Sequence, residues 1–253
     1  MLDGMRMATE GMLQMSARQD IVTNNLANVG TAGFRKESLV IESFSDVMNR
    51  EMTGQGEVTS GGGTENRGGV RHYSMTHTGQ GALKESGDPF DMALDDNGKG
   101  YFALQGAQGE MRFTRGGNFK LHSSGHLVTS DGSFVMGQRG PIKCTGSDFK
   151  VKDDGTVMVD NKAVDKILVC VIDDPKAVDR QSGSSFTVNN KDAVKASPDS
   201  KIRQGYVEQA NFNALTEMVE LMQTMRNFEA NQKVLQSHDQ RLQKSVNELG
   251  RVR

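Results

Sequence analysis

Few residues in this sequence have the types and spacing that chemistry needs. Asp95-Asp96-Asn97-Gly98-Lys99-Gly100 has the opening of a calcium loop, with Asp first, Asn third and Gly sixth. Lys99 stands at the fifth position and Gly106 at the twelfth, where a bidentate carboxylate is needed, so the stretch reads as a hairpin turn. His122 and His126 are four apart across a Ser-Ser-Gly turn and, with Cys144, would supply three of a zinc ion's four ligands. His72 and His77 lie in a polar, strand-like stretch and read as solvated, and His238, next to Asp239, reads as half of a surface pair. The Gly61–Gly63 triplet is followed by Thr64-Glu65-Asn66, so no lysine meets a phosphate, and no G-x-S-x-G elbow is present. Cys144 and Cys170 could form one bridge or none; Cys170, in the apolar run Ile167–Ile172, reads as a buried small hydrophobe. The expectation is a protein without catalytic constellation, metal or cofactor.

The elements around these residues divide the chain. Met5, Ala8, Met12, Met15, Gln19, Val22 and Leu26 alternate steps of three and four, a heptad seam that predicts a helix over 3–28, ended by Asn28 and Gly30. Gly4 and Gly11 weaken this helix by about 1 kcal/mol each relative to Ala. Near the other end Met218, Leu221, Met225, Phe228, Gln232, Leu235, Asp239, Leu242, Val246 and Leu249 continue the same rhythm, and eight of the ten are apolar. Asn213 or Thr216 can cap that helix and Gly250 can end it. Between them the period becomes two: Phe90, Met92 and Leu94; Met111 and Phe113; Phe149 and Val151; Val157 and Val159. Turns such as Asn97-Gly98, Asp131-Gly132 and Asp154-Gly155 separate these runs, as in antiparallel sheets. The expected fold is α+β: long terminal helices pairing as a coiled coil, with a central antiparallel β-domain. Its parts are residues 1–48 (helix and following loop), 49–82 (a Gly-rich extended connector), 83–205 (the β-rich domain) and 206–253 (the second helix).

Composition narrows the function. The 253 residues carry a net charge of −2, which offers no basic field to nucleic acid or an anionic membrane. The longest strongly apolar run has six residues, far short of the roughly 20 that span a bilayer. The N-terminus has no basic and apolar regions of a Sec-type signal. Isolated helices of this kind are marginal in water, so these need each other or other subunits. Periodicity alone leaves a closed intramolecular hairpin and an assembly equally open.

Several segments carry a family resemblance. Asn24-Asn25-Leu26-Ala27-Asn28-Val29-Gly30-Thr31-Ala32-Gly33-Phe34-Arg35 resembles the N-N-L-A-N-x-x-T-x-G-F signature of flagellar axial proteins of the rod and hook. Gln204-Gly205-Tyr206-Val207-Glu208-Gln209-Ala210-Asn211-Phe212-Asn213 is similar to their Q-G-x-L-E-x-S-N-V-N, with Ala210, Phe212 and Phe228 as mild departures from the family's Ser, Val and Tyr. Phe113-Thr114-Arg115-Gly116-Gly117-Asn118-Phe119 and Gly125-His126-Leu127-Val128-Thr129 look like Y-T-R-x-G-x-F and G-x-L-V-T of the rod proteins. The resemblance implies a structural subunit of the bacterial flagellar basal-body rod, of the FlgF/FlgG type. It implies a periplasmic place in the basal body, export by the flagellar type III apparatus without a cleaved signal, and partners that are further copies of the chain and neighbouring rod and hook proteins. Arg67-Gly68-Gly69-Val70 suits the distal rod (FlgG). Gly140-Pro141-Ile142 and Glu229–Lys233 suit the proximal rod (FlgF), which is slightly favoured.

The subunit interface implied by these readings comprises Met5, Met12, Met15, Val22, Leu26, Met218, Leu221, Met225, Phe228, Leu235, Leu242, Val246 and Leu249 of the seams. It also takes in the signature residues Asn24, Asn25, Asn28, Gly33 and Phe34. For the three asparagines a second role, capping the helix and shaping the turn before Gly33, is compatible. The competing reading is a non-polymerising binding module or assembly factor whose helices close on each other.

Overall fold

Uninterrupted runs of helix formers without proline make the two ends helical, and Gly-bearing turns break the middle into short strands. The structure is a computed structural model that describes residues 2–43, 70–106, 108–146, 148–172, 178–182, 184–188, 194–196 and 200–250. Of the expected Gly-rich connector at 49–82, residues 49–69 lie outside these residues, and Val70–Thr76 is a strand.

Helix α1 spans Leu2–Ala27 and helix α2 spans Ala214–Gly250. Asn28 closes α1: its side-chain amide donates to the Asn24 carbonyl at 2.9 Å, and its oxygen accepts from Thr31 Oγ1 at 3.2 Å. Asn213 caps α2, its Oδ1 accepting from the Leu215 amide at 2.9 Å.

The chain is α+β, but the terminal helices do not pair as the expected coiled coil over an apolar seam. They lie antiparallel, and only half of each expected seam faces the partner. Ala8, Met15 and Val22 of α1, and Leu221, Phe228, Leu235 and Leu242 of α2, lie on the packed faces. The alternate packing positions are small or polar. Arg18 meets Glu220 at 2.8 Å and Asn25 meets Glu217 at 3.1 Å. A Cβ added to Gly4 would lie 3.2 Å from His238, and one added to Gly11 would lie 3.1 Å from Asn231. The two glycines therefore make room for side chains of the opposite helix. The other half of the expected seam falls on the free edge: Met218, Met225 and Val246 are exposed. A heptad of small and polar residues cannot supply knobs for holes at every level, and α2, 37 residues against 26, outruns its partner.

This division predicts unequal effects of one substitution type. Leu235→Asp places a carboxylate between the helices and should lower the helicity of the monomer by circular dichroism. Met225→Asp, at a position already 45 % exposed, should leave it unchanged.

Among the described residues all strand pairs are antiparallel. The largest sheet follows the strand order 178–182, 185–188, 111–114, 100–105, 134–137, 127–128, 120–121, with 169–172 pairing 100–105 and 194–196. Strands 149–151, 156–159 and 162–166 form a second sheet. The expected alternation holds at Val157 and Val159, which are buried between half-buried Thr156 and Met158. It fails at Met92–Leu94, where Met92, Ala93 and Leu94 are all fully buried because both faces of that strand are covered. The turn at 95–100 joins strands of two different sheets, so it is not a hairpin. One core gathers around Phe102, Leu104, Leu127 and Ile142, and a second around Phe113, Ile172 and Phe186.

The chain returns to the helices along the start of this region. Lys201–Gln204 pairs with Met92–Asp95, and Tyr206–Glu208 pairs with Leu83–Glu85. A separate ribbon pairs Glu37–Ser43 with Val70–Thr76.

Candidate functional site

Three segments far apart in sequence converge where the helices meet the β-region. The loop after α1 brings Gly33, Phe34, Arg35 and Lys36; the strand at 111–114 runs into Arg115; the returning strand at 206–208 ends in Glu208 and leads to Asn211. Gly33 has φ +67, and its amide donates to the Glu208 carbonyl at 2.8 Å.

At the centre lies a buried charge cluster. Glu208 accepts from Arg115 Nε at 2.6 Å and from Arg35 Nη1 at 3.0 Å, and all three side chains are fully buried. The Gly81 amide adds a bond to Glu208 at 2.9 Å. Arg115 also pairs with Asp96 at 2.6 Å and donates to the carbonyls of Gly100 and Leu94. Arg35 donates to the Gly79 carbonyl. Two cations and two carboxylates balance, which the low-dielectric interior requires.

The environments of the two arginines differ. Burial holds Arg35 below the ordinary guanidinium range, Glu208 opposes this, and the neighbouring charge of Arg115 reinforces it. Arg115 is also opposed by burial, but two carboxylates overcome it and its pKa is raised. Burial alone would raise the Asp96 carboxyl; the Arg115 bond and charge, with the Gly98 and Gly100 amides, outweigh it and lower the pKa.

A folded-state pKa below the unfolded one stabilises the fold above the unfolded value, near 3.8, and the contribution disappears as pH falls through the folded value. Acidification below about pH 4 should therefore steepen the loss of stability. In urea melts at pH 5 and pH 2.5, Asp96→Asn should flatten that loss.

Above the cluster a second network ties in the helix roots. Asn25, 1 % exposed, donates to the Glu37 carbonyl at 2.8 Å and accepts from the Glu37 amide at 3.0 Å. Lys36 bridges Glu217 and Glu220. Burial opposes its charge, but the Glu217 bond and charge raise its pKa. Asn211 accepts from the Lys36 amide at 2.7 Å and donates to the carbonyls of His77 and Gly79 at 3.0 Å. Phe34 meets Phe212 edge to face at 6.0 Å. Gln204 accepts from the Val151 amide at 2.9 Å and donates to the carbonyls of Pro89 and Phe149.

Of the interface residues expected from sequence, Val22, Asn25, Gly33 and Phe34 are buried inside the chain. Met5, Met12, Met15, Leu26, Asn28, Leu221, Phe228, Leu235 and Leu242 are half-buried. Asn24, Met218, Met225 and Val246 are exposed. The side chain of Leu249 lies outside the described residues. Sequence reading alone does not single out Arg35, Arg115, Glu208 and Glu217 as site residues. No local pattern marks them, because each is one charged residue in a polar, glycine- or asparagine-bearing segment.

The other sequence candidates resolve differently. Asp96 of the calcium-like loop is taken by Arg115 and by the Gly98 and Gly100 amides, at 3.1 and 2.7 Å. Both His122 and His126 turn Nδ1 toward Ser124 Oγ, at 2.8 and 3.0 Å. Cys144 is buried in the first core, and burial pushes its thiol up to about 11; Cys170 is buried in the second core, and both thiols are free. Among the described residues no three His, Cys, Asp or Glu side chains gather as metal ligands.

Comparisons with known proteins align with these segments. Residues 5–35 match the family described as flagella basal body rod protein, 97–159 the flagellar hook protein FlgE/F/G D1 domain, and 203–249 the flagellar basal body rod FlgEFG protein C-terminal. Each matched segment contributes one member of the Arg35–Arg115–Glu208 triad. The chain is 28 % identical to the flagellar basal-body rod protein FlgG of Bacillus subtilis over 268 aligned positions, covering 98 % of this chain and 99 % of that one. It is 28 % identical to FlgF of Caulobacter vibrioides over 244 positions, with 94 % and 95 % covered. It is 25 % identical to the hook-basal body complex protein FlhO of Bacillus subtilis, with both chains fully covered. Three matched segments in order and relatives matched nearly end to end lead to one conclusion: the chain belongs to the flagellar basal-body rod protein family, structural proteins of the flagellum's basal body rather than enzymes.

Proposed function

We propose that the chain is a rod subunit that joins further copies of itself and neighbouring rod and hook proteins through its terminal helices. The observation that carries this is the apolar face left open on α2 after α1 has packed: Leu215, Met218, Met222 and Met225 remain 45–70 % exposed. Apolar clusters of this kind mark surfaces that associate. Helices held by an interface this polar are marginal alone, which suits passage through the flagellar export apparatus as an unfolded chain.

The position we propose is the proximal rod, as FlgF, supported by Gly140-Pro141-Ile142 and Glu229–Lys233. Relatives named FlgG and FlgF stand at the same 28 % identity.

The experiment is purification of basal bodies from cells carrying a tagged full-length chain. The expected result is the chain present in many copies per particle; its absence overturns the reading. The closed packing of the helices in one chain favours the second reading, a binding module that does not polymerise. Limited proteolysis of dilute monomer separates the two. A rod subunit loses its helical ends first and leaves a resistant core near 83–205, whereas the binding module keeps them.

A further inference from the structure

The loop that follows α1 is fastened to the β-region by polar bonds and not through either core. Among the described residues, neither core takes a side chain from α1 or from residues 28–36. Across the junction the Gly33 amide donates to the Glu208 carbonyl at 2.8 Å, and the His77 amide donates to the Lys36 carbonyl at 2.9 Å. Asn211 accepts from the Lys36 amide, and Arg35 pairs with Glu208. Phe34 adds its edge-to-face contact with Phe212. The loop can therefore leave with both cores intact.

Its departure divides the charge cluster unevenly. Arg115 stays behind, held by Asp96 and by the carbonyls of Gly100 and Leu94. Glu208 stays in the strand that pairs with Leu83–Glu85. Arg35 goes with the loop, so two cations against two carboxylates become one against two. The titratable and charged groups that face this site are Arg35 from the loop, Asp96 from the turn at 95–100, Tyr101 from strand 100–105, Arg115 after strand 111–114, and Glu208. Burial holds the Tyr101 phenol above its ordinary range, so it stays neutral. An excess negative charge in such a place is costly and draws a proton to a carboxylate.

We infer that the loop at 28–36 is a detachable plug for this cluster: Arg35 balances the carboxylates when the loop docks, and a proton takes its place when the loop lifts off. Docking of α1 onto the β-region is thus coupled to proton release. The carboxylates hold the proton more tightly in the detached state. Docking is therefore strongest above their detached-state range and declines as pH falls from there toward the docked-state value, by up to about tenfold per pH unit for one proton. This is a property of the single chain and does not depend on the rod reading.

The test uses the full chain. It has no tryptophan, so Phe212→Trp places a single reporter against Phe34. Between pH 7 and about pH 4.5 its emission should shift to the red. Hydrogen exchange, corrected for the intrinsic rate, should show amides 33–36 losing protection while those of strand 100–105 keep theirs. Arg35→Met moves the excess charge to the docked form and should reverse the sign: docking is weak at pH 7 and improves on acidification. Glu208→Gln alone leaves the docked form one cation in excess and should also weaken docking. With both changes Arg115 and Asp96 balance in either state, so docking at pH 7 should recover beyond each single variant and ignore pH over this range. Equal protection of 33–36 at both pH values in the unmutated chain overturns the plug. So does an Arg35→Met variant that detaches further in acid, or a double variant that docks no better than the single ones.

Discussion

Replacing Glu208 with alanine should destabilise the protein by about 3–5 kcal/mol, the range for leaving a buried charge without its counter-ion. Glu208 joins Arg35 and Arg115, and all three side chains have no solvent exposure. Without it, burial and the mutual repulsion of the arginines act on Arg35 in the same direction, and Asp96 is the one carboxylate left in the cluster. For a chain of this size the melting temperature should fall by roughly 6–20 °C. Glu208→Gln keeps the shape and can still accept hydrogen bonds, so it should fall between wild type and alanine. A double-mutant cycle with Arg115→Ala should show strong coupling. A cost below about 1 kcal/mol for Glu208→Ala, the value of an exposed pair, would mean the cluster is not closed to water.

Gly33→Ala should be comparably damaging for a different reason. Gly33 has φ +67, a conformation that costs other residues roughly 1–2 kcal/mol. An added Cβ would also fall inside the backbone of Arg115 and Gly116, which no rotamer change can relieve. The signature loop would have to lift off, taking the Gly33–Glu208 bond with it. We expect a loss on the order of 3 kcal/mol or more, early protease cleavage near residues 30–36, and non-motile cells. Gly30→Ala is the control, because nothing lies within 4 Å of its added Cβ. It should change stability by less than about 0.5 kcal/mol.

Part of this was legible in the residues. The period of 3.5 marked both helices, and Ala8, Met15, Val22, Leu221, Phe228, Leu235 and Leu242 do lie on the packed faces. The same pattern fits two adjacent flanks, because steps of three and four can start from either. Methionines pointed to one flank; Gly4, Gly11, Arg18 and Asn25 define the one that packs. That choice is made at the helix roots, where Asn25, Lys36, Glu217 and Glu220 are bonded across more than 180 positions of sequence, beyond the reach of any local pattern. Glycines read as weak points in α1 are sites of close approach. Alternation revealed Val157 and Val159, where one face is covered, and missed Met92–Leu94, where both are. The charge cluster was hidden because each of its members is an ordinary charged residue in its own segment, and only the fold makes them a group.

Electron microscopy of basal bodies from a strain lacking this chain tests the central claim most directly. The account predicts particles that stop before the proximal rod is complete, without distal rod or hook, and regain complete structures when the full-length chain is restored. Complete hook-basal bodies in the deletion strain would contradict it.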